Sequence, residues 1–282
     1  MDRHRRNADL ALAALAGVLL ATLPAGCIVD ERCREPRDCP GVKLCDLASG
    51  ECVYECSQDS DCGGEGFYCE GHTCHFYCEE SELGCPPDMV AVCGAFCIDV
   101  YEASRPDATS TSAGTDESQP QSVPGAIPWY SGALTPAEAA TACAAAGKRL
   151  CTAQEWEAAC TGVQERTYCY GDEYEPTVCN SIDAFCDEEC GVYPQCHVDC
   201  PSDYKVMPTG SFPGCVSWFI AYDLSGNVWE AVQSDDGTDH FRGGAFNCGD
   251  PALAHKCGYD GLAAGSFPTA RGFRCCSDGD PG

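Results

Sequence analysis

The chain has 282 residues, 27 of them cysteine, and sets 44 acidic side chains against 16 basic ones for a formal charge of -28. Such a surface repels phosphate backbones and acidic headgroups and carries no basic stripe, which argues against a nucleic-acid partner and suits divalent cations. So many cysteines would be a liability among cytosolic reductants, so an oxidising envelope or extracellular location with many disulfides is expected.

Residues 1–26 read as an export signal. A basic start (Arg3, Arg5, Arg6) leads into an apolar run from Leu10 to Leu23 and then small residues, the layout of a cleaved signal and too short to span a bilayer comfortably. Cys27 stands where a bacterial lipoprotein carries its diacylglycerol, although Pro24 replaces the aliphatic residue usual three places earlier. The expectation is therefore an outer-membrane or cell-surface lipoprotein of a Gram-negative-type bacterium, attached to the membrane through Cys27; the alternative is plain secretion with Cys27 in a disulfide. With Cys27 acylated, 26 cysteines remain. That even number pairs completely and predicts a bridged Cys248.

Residues 27–80 form a cysteine-rich segment. Cys33, Cys39, Cys45 and Cys52 are followed by Cys56, Cys62, Cys69 and Cys74, each set with an Asp just before its second cysteine, and Cys78 follows at the same gap. A short repeat with so few aliphatic residues cannot build a core, so disulfides must staple it. His72 and His75 lie near these cysteines, but paired C-x2-C knuckles are missing and oxidised cysteines do not ligate, so zinc is not expected.

A second domain is expected over residues 88–282. Alternation through Phe96, Ile98 and Val100 suits a half-buried strand. Residues 105–125, rich in Ser, Thr, Pro and Gly, read as a loop or disordered insert without chemistry. Thr135, Pro136 and Glu138 supply an N-cap, a first-turn proline and a capping-box acid for a helix that Gly147 stops. Thr152 and Glu155 repeat the capping box for a second helix, with Trp156, Ala159 and Cys160 on its core face. Closely spaced cysteines between 169 and 215 read as a stapled insert. His197, His240 and His255 are scattered, with no nucleophile elbow, HExxH or phosphate loop.

Four blocks follow in order: AGKRLCTAQEWEAAC at 146–160, YDLSGNVWE at 222–230, FRGGAFNC at 241–248 and GFRC at 272–275. Together with AFCIDVYEAS at 95–104 they resemble the formylglycine-generating enzyme and sulfatase-modifying factor family. That resemblance implies an α+β, C-type-lectin-like domain with little regular secondary structure. It implies disulfides Cys143 to Cys275 and Cys160 to Cys257, closing loops long enough to contribute about 4 to 5 kcal/mol each in the chain-entropy account. It implies calcium held by Asp223, Gly226, Val228 and Glu230, since calcium takes six to eight hard oxygens and a glycine turn lets carbonyls face inward. A second cation is implied at Asn180 and Ser181.

The resemblance also assigns Cys248 as the family's active cysteine, where two thiolates hold copper(I) and oxygen is activated. Here Ala245 takes the place of the family's serine and Leu253 that of the second cysteine. A lone thiolate does not make the two-sulfur site that suits copper(I). An oxidase would need another partner, such as Cys151 or Cys276. Arg242, Arg271 and Arg274 either line the family's substrate groove or serve internal ion pairs. The function expected is a calcium-stabilised, non-catalytic binding or structural module with a peptide or glycan ligand. The alternative is a copper- and oxygen-dependent oxidase that forms formylglycine on a cysteine of a sulfatase-like substrate.

Overall fold

The structure is a computed structural model that describes residues 43–46, 51–54, 56–62, 67–76, 83–185, 204–234, 238–261 and 270–279. The export signal, Cys27, His197 and most of the insert's cysteines lie outside these residues. Among the described residues no helix is long and apolar enough to cross a membrane.

In the cysteine-rich segment the two sequence copies fold alike. Strands β1 (Lys43–Asp46) and β2 (Glu51–Tyr54) pair antiparallel with Cys45 opposite Cys52. Strands β3 (Phe67–Glu70) and β4 (Thr73–Phe76) repeat that arrangement with Cys69 opposite Cys74. Cys69 is bonded to Cys56 and not to the Cys74 opposite it.

The larger domain mixes two short helices with small sheets. Strands β5 (Met89–Val92), β6 (Phe96–Asp99), β7 (Arg149–Leu150) and β11 (Cys275–Ser277) form one antiparallel sheet in the order β5-β6-β11-β7. Strands β8 (Trp229–Val232), β9 (His240–Arg242) and β10 (Arg271–Phe273) form a second, with β10 parallel to the central β8. Helices α1 (Pro136–Ala145) and α2 (Ala153–Thr161) both begin with complete capping boxes, Thr135 with Glu138 and Thr152 with Glu155. Gly147, at φ 71°, takes the left-handed conformation that ends α1.

Strand β6 departs from the sequence expectation. All four of its residues are buried, not every other one. The second face is covered because Cys97 is bonded to Cys85 and the Asp99 carboxylate receives the Lys148 ammonium at 2.5 Å. For the polar stretch 105–125, read as a loop or a disordered insert, the structure gives the loop, held because Asp107 accepts from the backbone N–H groups of Thr115 and Asp116, each at 2.9 Å.

Disulfides bind the layers together. Consecutive residues of a strand point to opposite faces, so β11 reaches both ways: Cys275 bonds to Cys143 of α1, and Cys276 bonds to Cys151 just after β7. Cys160 of α2 bonds to Cys257, and Cys179 to Cys215. These bridges place the chain in an oxidising compartment, which makes it an exported protein. Trp156 is fully buried in the core.

Candidate functional site

The 222–230 block turns sharply before entering β8. Asp223, Gly226 and Asn227 all have positive φ, at 62°, 100° and 56°. A Cβ on Gly226 would stand 2.4 Å from the Asn180 carbonyl oxygen, so only glycine fits there. The turn delivers Glu230 into the core, where Arg274 grips it through two hydrogen bonds: Nε to Oε2 and Nη2 to Oε1, both 2.6 Å. Trp156 Nε1 donates to the same Oε2 at 2.6 Å. Arg274 also donates to the carbonyls of Asp99 at 3.0 Å and Tyr222 at 2.7 Å.

Two further acids share this interior. Glu102 accepts from Asn227 Nδ2 at 2.5 Å and from the Val228 N–H at 3.1 Å. Asp223 Oδ2 accepts from the Gly210 N–H at 2.6 Å. Glu102, Glu230 and Arg274 are completely buried and Asp223 nearly so. Three carboxylates thus face one guanidinium. Burial, reinforced by Asp223 and Glu230, holds the Glu102 carboxyl well above the usual range. Burial also pushes Asp223 up to about 7, against the pull of Gly210 and Arg274. Glu102 sat within a block used for the resemblance but had no assigned role, because its partners lie more than a hundred residues away in sequence.

The residues expected to hold calcium fall into two groups. Both carboxylate oxygens of Glu230 are already engaged by Arg274 and Trp156, so this acid serves an internal ion pair and does not stand open to a cation. Asp223, Gly226 and Val228 share its turn, and the surplus acid charge beside them is of the kind a divalent cation neutralises. At the second position, Asn180 Oδ1 is a buried oxygen without a hydrogen-bond partner, and the buried Asp183 accepts from the Tyr174 hydroxyl at 2.9 Å. Ser181 lies between them, its Oγ accepting from the Asp183 and Ala184 N–H groups at 3.1 Å. Hard oxygens of this type fit calcium. The sequence reading missed Asp183; the N-x-x-D spacing from Asn180 was the available signal.

Cys248 lies in a short turn, its N–H donating to the Ala245 carbonyl at 3.1 Å and its sulfur accepting from the Ala245 N–H at 3.1 Å. It is a free thiol, contrary to the expectation from parity. Among the described residues Cys169 is unpaired as well, and two free thiols are compatible with an even total. Burial pushes the Cys248 thiol up to about 12, far from the thiolate that nucleophiles and copper need. Leu253 lies on a single helical turn, Pro251–Ala254, with its side chain 41% exposed. Cys151 and Cys276 are bonded to each other, and Cys169 is sealed in the core 3.9 Å from the Cys215 sulfur. Among the described residues no second thiol completes a copper pair with Cys248.

The three arginines separate. Arg274 is the internal partner of Glu230. Arg271 donates to the Leu134 carbonyl and lies over the Phe241 ring, while Arg242 donates to the Gly258 carbonyl and approaches Glu157 at 3.9 Å.

A sulfatase-modifying factor enzyme 1-like domain matches residues 110–279. The chain belongs to this family. Among curated proteins it is similar to the inactive C-alpha-formylglycine-generating enzyme 2 of Bos taurus, 30% identical over 145 residues, 48% of this chain and 46% of that protein. The chain thus spans about half the length of the curated relative it matches. Among solved structures, PvdO from Pseudomonas aeruginosa is 18% identical with a TM-score of 0.41, covering 69% of this chain and 89% of that one. CarF is 22% identical with a TM-score of 0.28, covering 47% and 48%. The sheet that contains β11 extends beyond the matched residues, since β6 pairs with β11 and β5 with β6.

His255 links the Cys248 turn to the 222–230 turn: its Nε2 lies 3.2 Å from the Ala245 carbonyl, and its ring edge closes on Gly226. Burial depresses its pKa from the ordinary 6.5 to about 4. Between those values the unfolded chain takes up a proton that the folded one refuses, so stability is full above 6.5 and falls as pH drops toward 4. This group alone contributes roughly 3 kcal/mol to the loss. Urea unfolding at pH 7 and pH 4.5 should show a smaller loss for His255→Gln than for the wild type. Identical losses would mean that His255 is not buried neutral.

Proposed function

We propose that this protein is a non-catalytic sulfatase-modifying-factor module, displayed on a lipid anchor at Cys27 and stabilised by calcium. One observation carries the reading: the copper pair is gone, with Leu253 in the second position and Cys151 and Cys276 consumed in a disulfide. What remains at Cys248 is a half-buried thiol whose pKa is pushed up to about 12. The scaffold around it is closed, from the capped helices to the Glu230 and Arg274 pair. The inactive state named for the bovine relative agrees with this. A module of this kind acts by binding, with a peptide or glycan as partner.

Calcium in this reading is held at Asn180 and Asp183 with Ser181 between them, where the buried Asn180 Oδ1 lacks a hydrogen-bond partner and Asp183 supplies a buried carboxylate. Its chemistry is structural: it neutralises buried acid charge and fixes the insert against the 222–230 turn, which Asn180 already meets through Asn227 at 2.7 Å. Chelation should lower the melting temperature, and Asp183→Asn should remove most of that sensitivity. Absence of any shift between chelator and millimolar calcium overturns the site, since a ligand of the folded form alone must stabilise it.

A second reading stays in view because Cys248 is free. A formylglycine-generating oxidase would use copper(I), oxygen and a reductant on a cysteine of a sulfatase-like peptide. The purified protein, supplied with all three, should leave such a peptide unconverted by mass spectrometry. Conversion that Cys248→Ala abolishes would establish the oxidase.

A further inference from the structure

The chemistry-bearing feature that the family resemblance leaves unused is a cavity of about 560 Å³ between α1 and the 105–117 loop. Its floor is Trp129 and Phe273, both buried. One wall is the small-residue face of α1 formed by Ala137, Ala142 and Ala145, with Leu134 beside it. The volume is in the range of small-molecule and short-peptide sites. Neither Cys248 nor any of the three arginines considered for the family's groove lines it.

Arg105 sets the chemistry. Its guanidinium lies 4.6 Å from the centre of the Trp129 ring. Nη1 donates to the Ala113 carbonyl at 3.3 Å and Nη2 to Glu117 Oε1 at 2.7 Å. Nε, on the same edge as Nη2, is buried and has no partner. That edge is the one on which arginine grips a carboxylate with two parallel hydrogen bonds. Glu117 uses half of it, and does so from an exposed position: its side chain is 62% exposed, against 12% for Arg105. The site is thus a fixed guanidinium over an aromatic floor, with the exposed Glu117 carboxylate on it; a second lining acid, Glu138, is engaged by the Thr135 N–H and hydroxyl in the capping box of α1. The guanidinium also covers the indole face, so a neutral sugar has no open ring there on which to stack.

We propose that this groove binds a ligand carboxylate joined to an apolar group. The carboxylate displaces Glu117 and spans Nε and Nη2 of Arg105, while the apolar part fills the space between Leu134, Ala142 and Phe273. The class that fits best is the end of a peptide: an apolar C-terminal residue, or an acidic side chain next to one. This deepens the reading of the domain as a binding module by naming what it binds. Glu117 acts as a built-in competitor that lowers affinity for any anion in the groove.

Calorimetric titration of the purified full chain tests this with three probes: N-acetyl-Ala-Ala-Leu as the free acid, its C-terminal amide, and the amide of N-acetyl-Ala-Glu-Leu. The free acid should bind at least about tenfold more tightly than the first amide, the factor expected for a charge-assisted pair. Binding of the third probe like the free acid identifies a side-chain carboxylate as the natural group; its failure identifies a chain terminus. Arg105→Gln, checked for unchanged melting temperature, should remove the preference for acid over amide. Glu117→Gln, at an exposed position where folding is not at risk, should tighten the free acid. Equal binding of acid and amide, no binding of either, or no gain from Glu117→Gln overturns the proposal. The formylglycine assay is independent, so either reading can fail alone.

Discussion

The bidentate pair between Arg274 and Glu230 is the interaction on which the rest of the domain depends. Through one guanidinium, β8, the end of β6, the 222–230 turn and the segment joining β10 to β11 are fixed relative to one another, and Trp156 brings α2 to the same carboxylate. Charges so deeply buried are tolerated only when every lone pair and proton is used. Removal of the guanidinium alone would strand Glu230, Glu102 and Asp223 in the core. Breaking a buried pair from one side costs about 3 to 5 kcal/mol, a large share of a domain's stability.

The strained turn follows from that pair. To bring Glu230 under Arg274 while Asn227 reaches Glu102 and Asn180, the backbone passes through left-handed conformations at Asp223, Gly226 and Asn227. Such conformations persist where surrounding contacts over-determine them. Here the contacts are the Gly226 N–H to the Gly243 carbonyl at 2.7 Å and the Phe246 N–H to the Asn227 carbonyl at 3.0 Å. The 222–230 and 241–248 blocks are therefore two sides of one construction, and the Gly243-Gly244 turn is needed whether or not Cys248 reacts. The glycine signature of these blocks is thus required by the turns themselves, independent of any chemistry at Cys248.

The parts of this arrangement that were legible in the sequence are the local ones. Thr135 with Glu138 and Thr152 with Glu155 cap their helices because a capping box is closed within four residues. What depends on distant partners was not legible. Whether Arg274 served a groove or an ion pair was open, since Glu230 lies 44 residues away. The second buried face of β6 depends on Lys148 and Cys85, which no period-two pattern within the strand could reveal. The ordered 105–117 loop was hidden by its composition: its Ser, Thr and Gly residues suit a flexible segment, and a single acid, Asp107, collects the backbone donors that hold it. Parity misassigned Cys248 because counting cannot see that Cys169 is buried without a mate.

The account holds that the domain keeps its family's frame and has lost its family's metal pair. A competition titration with a copper(I) chelator of known affinity, on protein confirmed to have native disulfides, bears on this most directly. The account predicts that Cys248 gives no tight copper(I) site and that Cys248→Ala leaves the titration unchanged. Stoichiometric, tight copper(I) binding lost in Cys248→Ala, with two sulfur ligands by X-ray absorption, would contradict it.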